Sequence, residues 1–155
     1  MIVFEKVNEQ LLGLLKEIIN SNPVYNRLEN GHEQRTMEEI RKEYLHQDHN
    51  RETCLIKVNE NYIGVIDYMI HNPKDKTPWL GLLLLHGDYQ GYGFGKRAFK
   101  HYELKMKALG LEKVRLGILT ENLNARSMWE KLGFRYLKTV NVEQSAVDCY
   151  EKLIY

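Results

Sequence analysis

The apolar positions change period several times along the chain, and each change predicts an element. "MIVFEKV" at the start reads as a short strand. In "NEQLLGLLKEIINSN", Leu11, Leu12, Leu15, Ile18 and Ile19 fall at helical spacing behind Asn8, a residue suited to an N-cap. Residues 22–35 are polar and aperiodic and read as irregular chain. A second helix is expected over 36–47, opened by Thr36 with Glu39 three residues on as a capping box. "TCLIKVN" and "YIGVIDYMI" flank the polar Asn59, Glu60 and Asn61 as a hairpin, and a turn with Pro73 and Pro78 follows. "WLGLLLLH" is too apolar to alternate and predicts a central strand covered on both faces. Phe99, Tyr102, Met106 and Leu109 then mark one face of a helix that Gly110 would stop. "KVRLGILT" alternates as a strand, and Ala125, Met128, Trp129 and Leu132 define a helix ended by Gly133. "FRYLKTVNV" and "AVDCYEKLIY" close the chain as strands. The order β-α-α-β-β-β-α-β-α-β-β implies an α/β (α+β) protein with helices on the faces of a sheet.

A chain of 155 residues without repeat or linker suits one domain, residues 1–155, with a real core. The balance of 22 basic and 21 acidic residues, net +1, gives no basic face for a nucleic acid. Any phosphate on a ligand must therefore be met locally. Cys54 and Cys149 form no spaced motif and read as reduced thiols of a cytoplasmic protein. The N-terminus lacks the pattern of a signal peptide, and no apolar run approaches the roughly 20 residues that span a bilayer, so no membrane is expected. His46 and His49 have a metal-clip spacing but no further ligands, and read as a solvated helix end.

The densest local signal is "HGDYQGYGFGKRAF", residues 86–99, with glycines at 91, 93 and 95 between a strand and a helix. Glycines permit positive φ and let a ligand approach bare main chain. A strand-to-helix loop also aims free N–H groups and the helix N-terminus at one point, which favours a phosphate. Lys96, Arg97 and Lys100 add charge nearby. A P-loop would need glycine and Ser/Thr where Gln90 and Arg97 stand, and a dinucleotide fingerprint would need glycine at Lys96. Both spacings fail.

Gln90-Gly91-Tyr92-Gly93-Phe94-Gly95 fits Gln/Arg-x-x-Gly-x-Gly/Ala, and "ENLNARSMWEKLGF" resembles Asn-x-x-Ala-x-x-apolar-Tyr-Glu-Lys-x-Gly-Phe, with Trp129 in the tyrosine place. In that order, with a helix and a strand between them, the two motifs resemble those of the GNAT N-acetyltransferases. The resemblance runs from about Leu55 to Phe134. It implies a mixed sheet of six to seven strands, splayed between the fourth and fifth, with about four helices. Acetyl-CoA would be the cofactor, and a primary amine of a small molecule or peptide would be acetylated in a ternary complex. Main-chain groups of Leu83, Leu84 and Leu85 would pair with the pantetheine arm. Gln90 belongs to the cofactor loop, and the N–H groups of Gly91, Tyr92, Gly93, Phe94, Gly95 and Lys96 would hold the pyrophosphate. Asn122 would touch pantetheine or acyl group, unless it caps the following helix, a task for which Asn124 competes.

The Leu85 N–H is the expected oxyanion donor, and Asp67, His86 and His71 are candidates for the base. The position of the family tyrosine holds Trp129, which delivers no proton to a thiolate. Ser127, Tyr136 or water would replace it, or the thiol, with a pKa near 8.5, leaves unaided. Ser127 and Trp129 are placed beside the cofactor by the motif. The mismatch leaves room for a second reading, a non-catalytic acyl-CoA sensor of the same fold. Residues 22–50, the variable acceptor-facing part, mix charges, with Glu29 and Glu33 suited to a cationic amine. Family members often form homodimers, so this association is open here.

Overall fold

In the computed structural model, which describes residues 1–155, the strands are β1 (Ile2–Lys6), β2 (Arg51–Val58), β3 (Asn61–Met69), β4 (Trp79–Leu85), β5 (Lys113–Leu119), β6 (Arg135–Val142) and β7 (Ser145–Leu153). The helices are α1 (Leu12–Asn20), α2 (Pro23–Asn30), α3 (Met37–Tyr44), α4 (Phe94–Ala108) and α5 (Leu123–Lys131). All seven strands join one sheet in the order β1-β2-β3-β4-β5-β7-β6. Every neighbouring pair is antiparallel except β4–β5.

Helix α2 lies where the sequence reads as irregular. Its signals are at the ends: Pro23 occupies the first turn, and Gly31 closes it at φ 81°. Its interior carries no apolar stripe, because Val24 is exposed and its one buried residue is the polar Asn26. Helix α3 keeps the expected capping box, with Thr36 Oγ1 accepting from the Glu39 N–H at 3.1 Å, and ends at Tyr44. Gly110 and Gly133 stop α4 and α5 at φ 81° and 101°.

β4 separates two cores. Leu80 belongs to the larger, built on Phe99, Tyr102 and Met106 of α4 with Trp129 and Phe134. Leu82 belongs to the other, under α1 and α3, with Leu15, Ile18, Ile19 and Ile40. Burying each such side chain stabilises the fold by about 1.5–3 kcal/mol. The unbroken leucines of β4 follow from this double coverage.

β4 and β5 touch at a single register pair, Trp79↔Arg115, where the Arg115 N–H donates to the Pro78 carbonyl at 2.9 Å. Asp75 pins this end: it accepts from the Trp79 indole at 2.7 Å and from the Arg115 guanidinium at 3.1 Å. Arg115 also donates to Glu151 of β7 at 2.8 Å. Past that clamp the two strands diverge, and each leaves an unpaired edge facing the gap.

Candidate active site

The gap is a cleft of about 560 Å³. Its walls are Leu80–Leu85 of β4, Leu116–Leu119 of β5, the first turns of α5, the glycine loop, and Tyr25 and Glu29 of α2. The direction of the β4 main chain follows from one bond. The His86 N–H donates to Ile63 of β3 at 2.8 Å, so by the alternation of an antiparallel ladder Leu84 also faces β3. Leu83 and Leu85 then turn their N–H and C=O toward the cleft, where no strand receives them. Leu84 contributes its side chain to the wall, and its main chain is already committed, contrary to expectation. The Leu85 carbonyl is occupied by Asn22 Nδ2 and Gln90 Nε2, both at 2.9 Å, which leaves its N–H for a ligand.

At the mouth, Gly91 and Gly93 lie at φ 86° and 85°, the left-handed region that costs other residues about 1–2 kcal/mol. Gly93 caps the 15-residue α4, and the Arg97 N–H donates to its carbonyl at 3.2 Å. The six consecutive N–H groups of residues 91–96 therefore donate to nothing in the protein. Free N–H donors at a helix N-terminus are the kind of group that suits an anion such as a phosphate. Gly91, Gly93, Gly95 and Lys96 line the cleft. Tyr92 is 75% exposed and Phe94 packs inward against the core, so these two offer only main chain. The Gln90 side chain is a strut, donating to Asn22 Oδ1 at 2.6 Å as well as to Leu85. With Ser21 Oγ accepting from the Gly87 N–H at 2.9 Å, it ties the loop to the α1–α2 corner.

The two leading base candidates lie elsewhere. Asp67 is buried and held by Arg51, at 3.0 Å through Nε and 2.7 Å through Nη2, and by the Thr53 hydroxyl at 2.6 Å. It is absent from the cleft wall and fixed as one half of an ion pair. His86 also lies outside that wall: Nδ1 accepts from the Asp88 N–H at 3.0 Å, and Nε2 faces Glu17 at 3.8 Å. His71 is exposed at the far end of β3. Ser127 is exposed and off the wall. Asn122 Oδ1 caps α5 by accepting from the Ala125 N–H at 3.1 Å, while the residue still lines the cleft beside Asn124. Trp129, 7% exposed, stacks edge-on against Phe99 and Phe134 at 5.7 and 5.3 Å and forms part of the wall.

The titratable side chains that do line the cleft are Tyr25, Glu29 and Lys96. Desolvation on its cleft side, then the Glu43 charge, raises the Glu29 carboxyl above its ordinary value, although the residue still meets solvent on its outer side. Burial, then Glu29, raises the Tyr25 phenol well above its own. Neither residue was singled out as a catalytic candidate from the sequence. The available signal was Asn22-Pro23 opening and Asn30-Gly31 closing a helix, which sets Tyr25 and Glu29 four apart on one face.

A family model described as the acetyltransferase (GNAT) family matches residues 15–134. No curated protein matches the chain. Among solved structures, an acetyltransferase from Thermus thermophilus is similar at 23% identity, with a TM-score of 0.86 over 99% of this chain and 97% of its own. A spermidine N-acetyltransferase from Vibrio cholerae, in complex with CoA and spermine, aligns with a TM-score of 0.75 at 16% identity, covering 99% of this chain and 95% of its own. The ribosomal-protein-S18-alanine N-acetyltransferase of Escherichia coli aligns with a TM-score of 0.71 at 13% identity over 99% and 94%. At these identities the structural likeness speaks for the fold; the family match spans more than half of the sequence. The chain belongs to the GNAT acetyltransferase family.

Proposed function

We propose that the protein transfers the acetyl group of acetyl-CoA to a primary amine by direct attack in a ternary complex. The observation that carries this reading is the row of six unpartnered N–H groups at residues 91–96, at one end of a cleft edged by unpaired β4 main chain. The loop suits the pyrophosphate, and Lys96 adds a positive charge. The outward-turned N–H and C=O of Leu83 suit a pantetheine amide, in the manner of an added strand, and the Leu85 N–H is left for the thioester end. Met128 and Trp129 supply apolar wall for the arm, and Asn122 offers its Nδ2. The GNAT family match supports the cofactor, and amine-acetylating relatives such as the spermidine and ribosomal-protein enzymes support the acceptor class.

In the reaction, the amine nitrogen forms a bond to the thioester carbon, the C–S bond breaks, and the amine loses a proton. A lysine-like ammonium must first be neutralised, at a cost of about 4–5 kcal/mol at pH 7. Glu29, the carboxylate in the cleft wall, takes that proton directly or through water, and its raised affinity for protons suits the task. The Leu85 N–H faces the developing oxyanion. The thiolate departs without an acid, since its pKa of about 8.5 makes it a tolerable leaving group. Trp129 in the tyrosine position is then a packing residue.

Initial rates of thiol release, over a grid of acetyl-CoA and amine concentrations, test this. Intersecting double-reciprocal lines are expected for a ternary complex. Acetyl-CoA binding without amine-dependent release by any of a broad panel would overturn transfer in favour of an acyl-CoA sensor.

A further inference from the structure

Beyond Tyr25 the cleft has a side chamber of about 60 Å³, room for about two water-sized groups. Tyr25, Glu29, Leu82 and Leu84 belong to the walls of both spaces, so the chamber adjoins the cleft beside α2. Its charged groups come from two helices and the segment joining them: Glu29 on α2, Arg35, and Glu43 on α3. Arg35 is already matched, at 3.3 Å to Glu39 and 2.9 Å to Glu43. The chamber wall thus holds two carboxylates and one guanidinium, which Glu39 also engages from outside, so the site is short of positive charge.

A second observation concerns a neutral group. Asn26 is fully buried and forms part of the chamber wall. Its Nδ2 donates to the carbonyls of Ile19 at 3.0 Å and Glu33 at 2.9 Å, which fixes the orientation of the amide. Oδ1 is left with no donor in the protein. A buried acceptor without a donor is costly unless a ligand supplies one. An ammonium meets both needs: it carries charge for Glu43 and a proton for Asn26 Oδ1. Leu82 and Leu84 offer the apolar wall that its methylenes require.

We infer that this chamber receives a second positively charged group of the acceptor, so that the substrate class is a diamine or similarly dicationic amine. The inference rests on the proposed transfer to an amine, but it can be read by binding alone. The Glu43 carboxylate and the Asn26 carbonyl hold the distal ammonium, and Glu29, in the walls of both spaces, serves the near amine beside the β4 edge.

The test is calorimetry on the CoA-saturated protein with putrescine and with butylamine, which has the same carbon chain and one amine. Putrescine is expected to bind about ten-fold more tightly or better. Glu43→Gln, with its fold checked by thermal melting, should bring the two ligands together while CoA affinity stays unchanged. Equal binding of the two amines by wild type, or an unchanged preference in Glu43→Gln, overturns the chamber's role whatever the turnover. A preference for putrescine that Glu43→Gln abolishes, with no acetylation of either amine, upholds the chamber and defeats the transfer reading instead.

Discussion

Gly93→Val separates the loop's role in binding from its role in stability. At φ 85° a Cβ on residue 93 meets no atom within 4 Å, so the substitution brings backbone strain without a clash. That strain is about 1–2 kcal/mol. Gly110, at the other end of α4, has φ 81° and the same open surroundings. Gly110→Val therefore carries a matching strain far from the cleft, and both variants should lose about 3–8 °C in Tm. Their cofactor affinities should differ. To relieve the strain, residue 93 must turn its peptide, which re-aims the N–H groups at the start of α4. Each charge-assisted hydrogen bond contributes about 1.5–3 kcal/mol, so losing two weakens acetyl-CoA binding by roughly 10²–10⁴-fold. Calorimetric titration of the two variants beside wild type reads both quantities under one buffer. Gly93→Val binding within about three-fold of Gly110→Val would refute the assignment of these N–H groups to the pyrophosphate.

Glu29→Gln should lower kcat by about 10²–10⁴-fold, with acetyl-CoA affinity preserved. Because desolvation and Glu43 raise its folded-state pKa, Glu29 binds its proton more tightly when folded. The cost to stability is absent at acid pH and sets in as pH rises above the ordinary carboxylate range. Thermal melts should therefore show Glu29→Gln neutral near pH 4 and stabilising near pH 7; the reverse order would contradict the shift. Trp129→Phe should leave kcat within about two-fold while lowering stability by about 1–2 kcal/mol through lost packing on Phe99 and Phe134. A large fall in kcat at unchanged cofactor affinity would contradict a role confined to packing. Asp148, buried on β7, accepts from Thr139, Thr120 and Arg126 at 2.6, 3.1 and 2.9 Å, and the Thr139 bond leads in holding its pKa down. Asp148→Asn should cost about 2–3 kcal/mol at pH 7. That cost should shrink as pH falls through the depressed carboxyl value, because wild type then loses the same stabilisation. Denaturant melts at pH 7 and pH 3 check it, and a pH-independent difference would contradict the linkage.

The elements legible in the sequence were those whose signals are local. The Thr36–Glu39 box, the stops at Gly110 and Gly133, the leucine run of β4 and the glycine loop each declare themselves within a few residues. Helix α2 was hidden because it buries Asn26 and exposes Val24, so its caps were present without the apolar stripe that usually accompanies them. The insertion of β7 between β5 and β6 depends on pairings across the sheet that no local pattern encodes. The same distinction runs through the site. The unpartnered N–H groups of the loop follow from glycine spacing. Asp67 looked available because its partner Arg51 lies 16 residues away on the neighbouring strand, and only the β2–β3 register brings them together. His86 satisfies the loop's own backbone, a local role that the sequence left open. Tyr25 and Glu29 reach the cleft only because the Ser21–Asn22 corner is tied to Gly87, Leu85 and Gln90.

The central claim is that the acetyl group moves from the thioester to an amine nitrogen in this cleft. Its most direct test follows an isotopically labelled acetyl group by mass spectrometry in a single turnover, with wild-type protein, acetyl-CoA and a panel of mono- and diamines. The account predicts label on the amine, one free thiol per acetylated product, and none on the protein. Label that remains on CoA although the cofactor is bound, or that appears only as acetate, would contradict it.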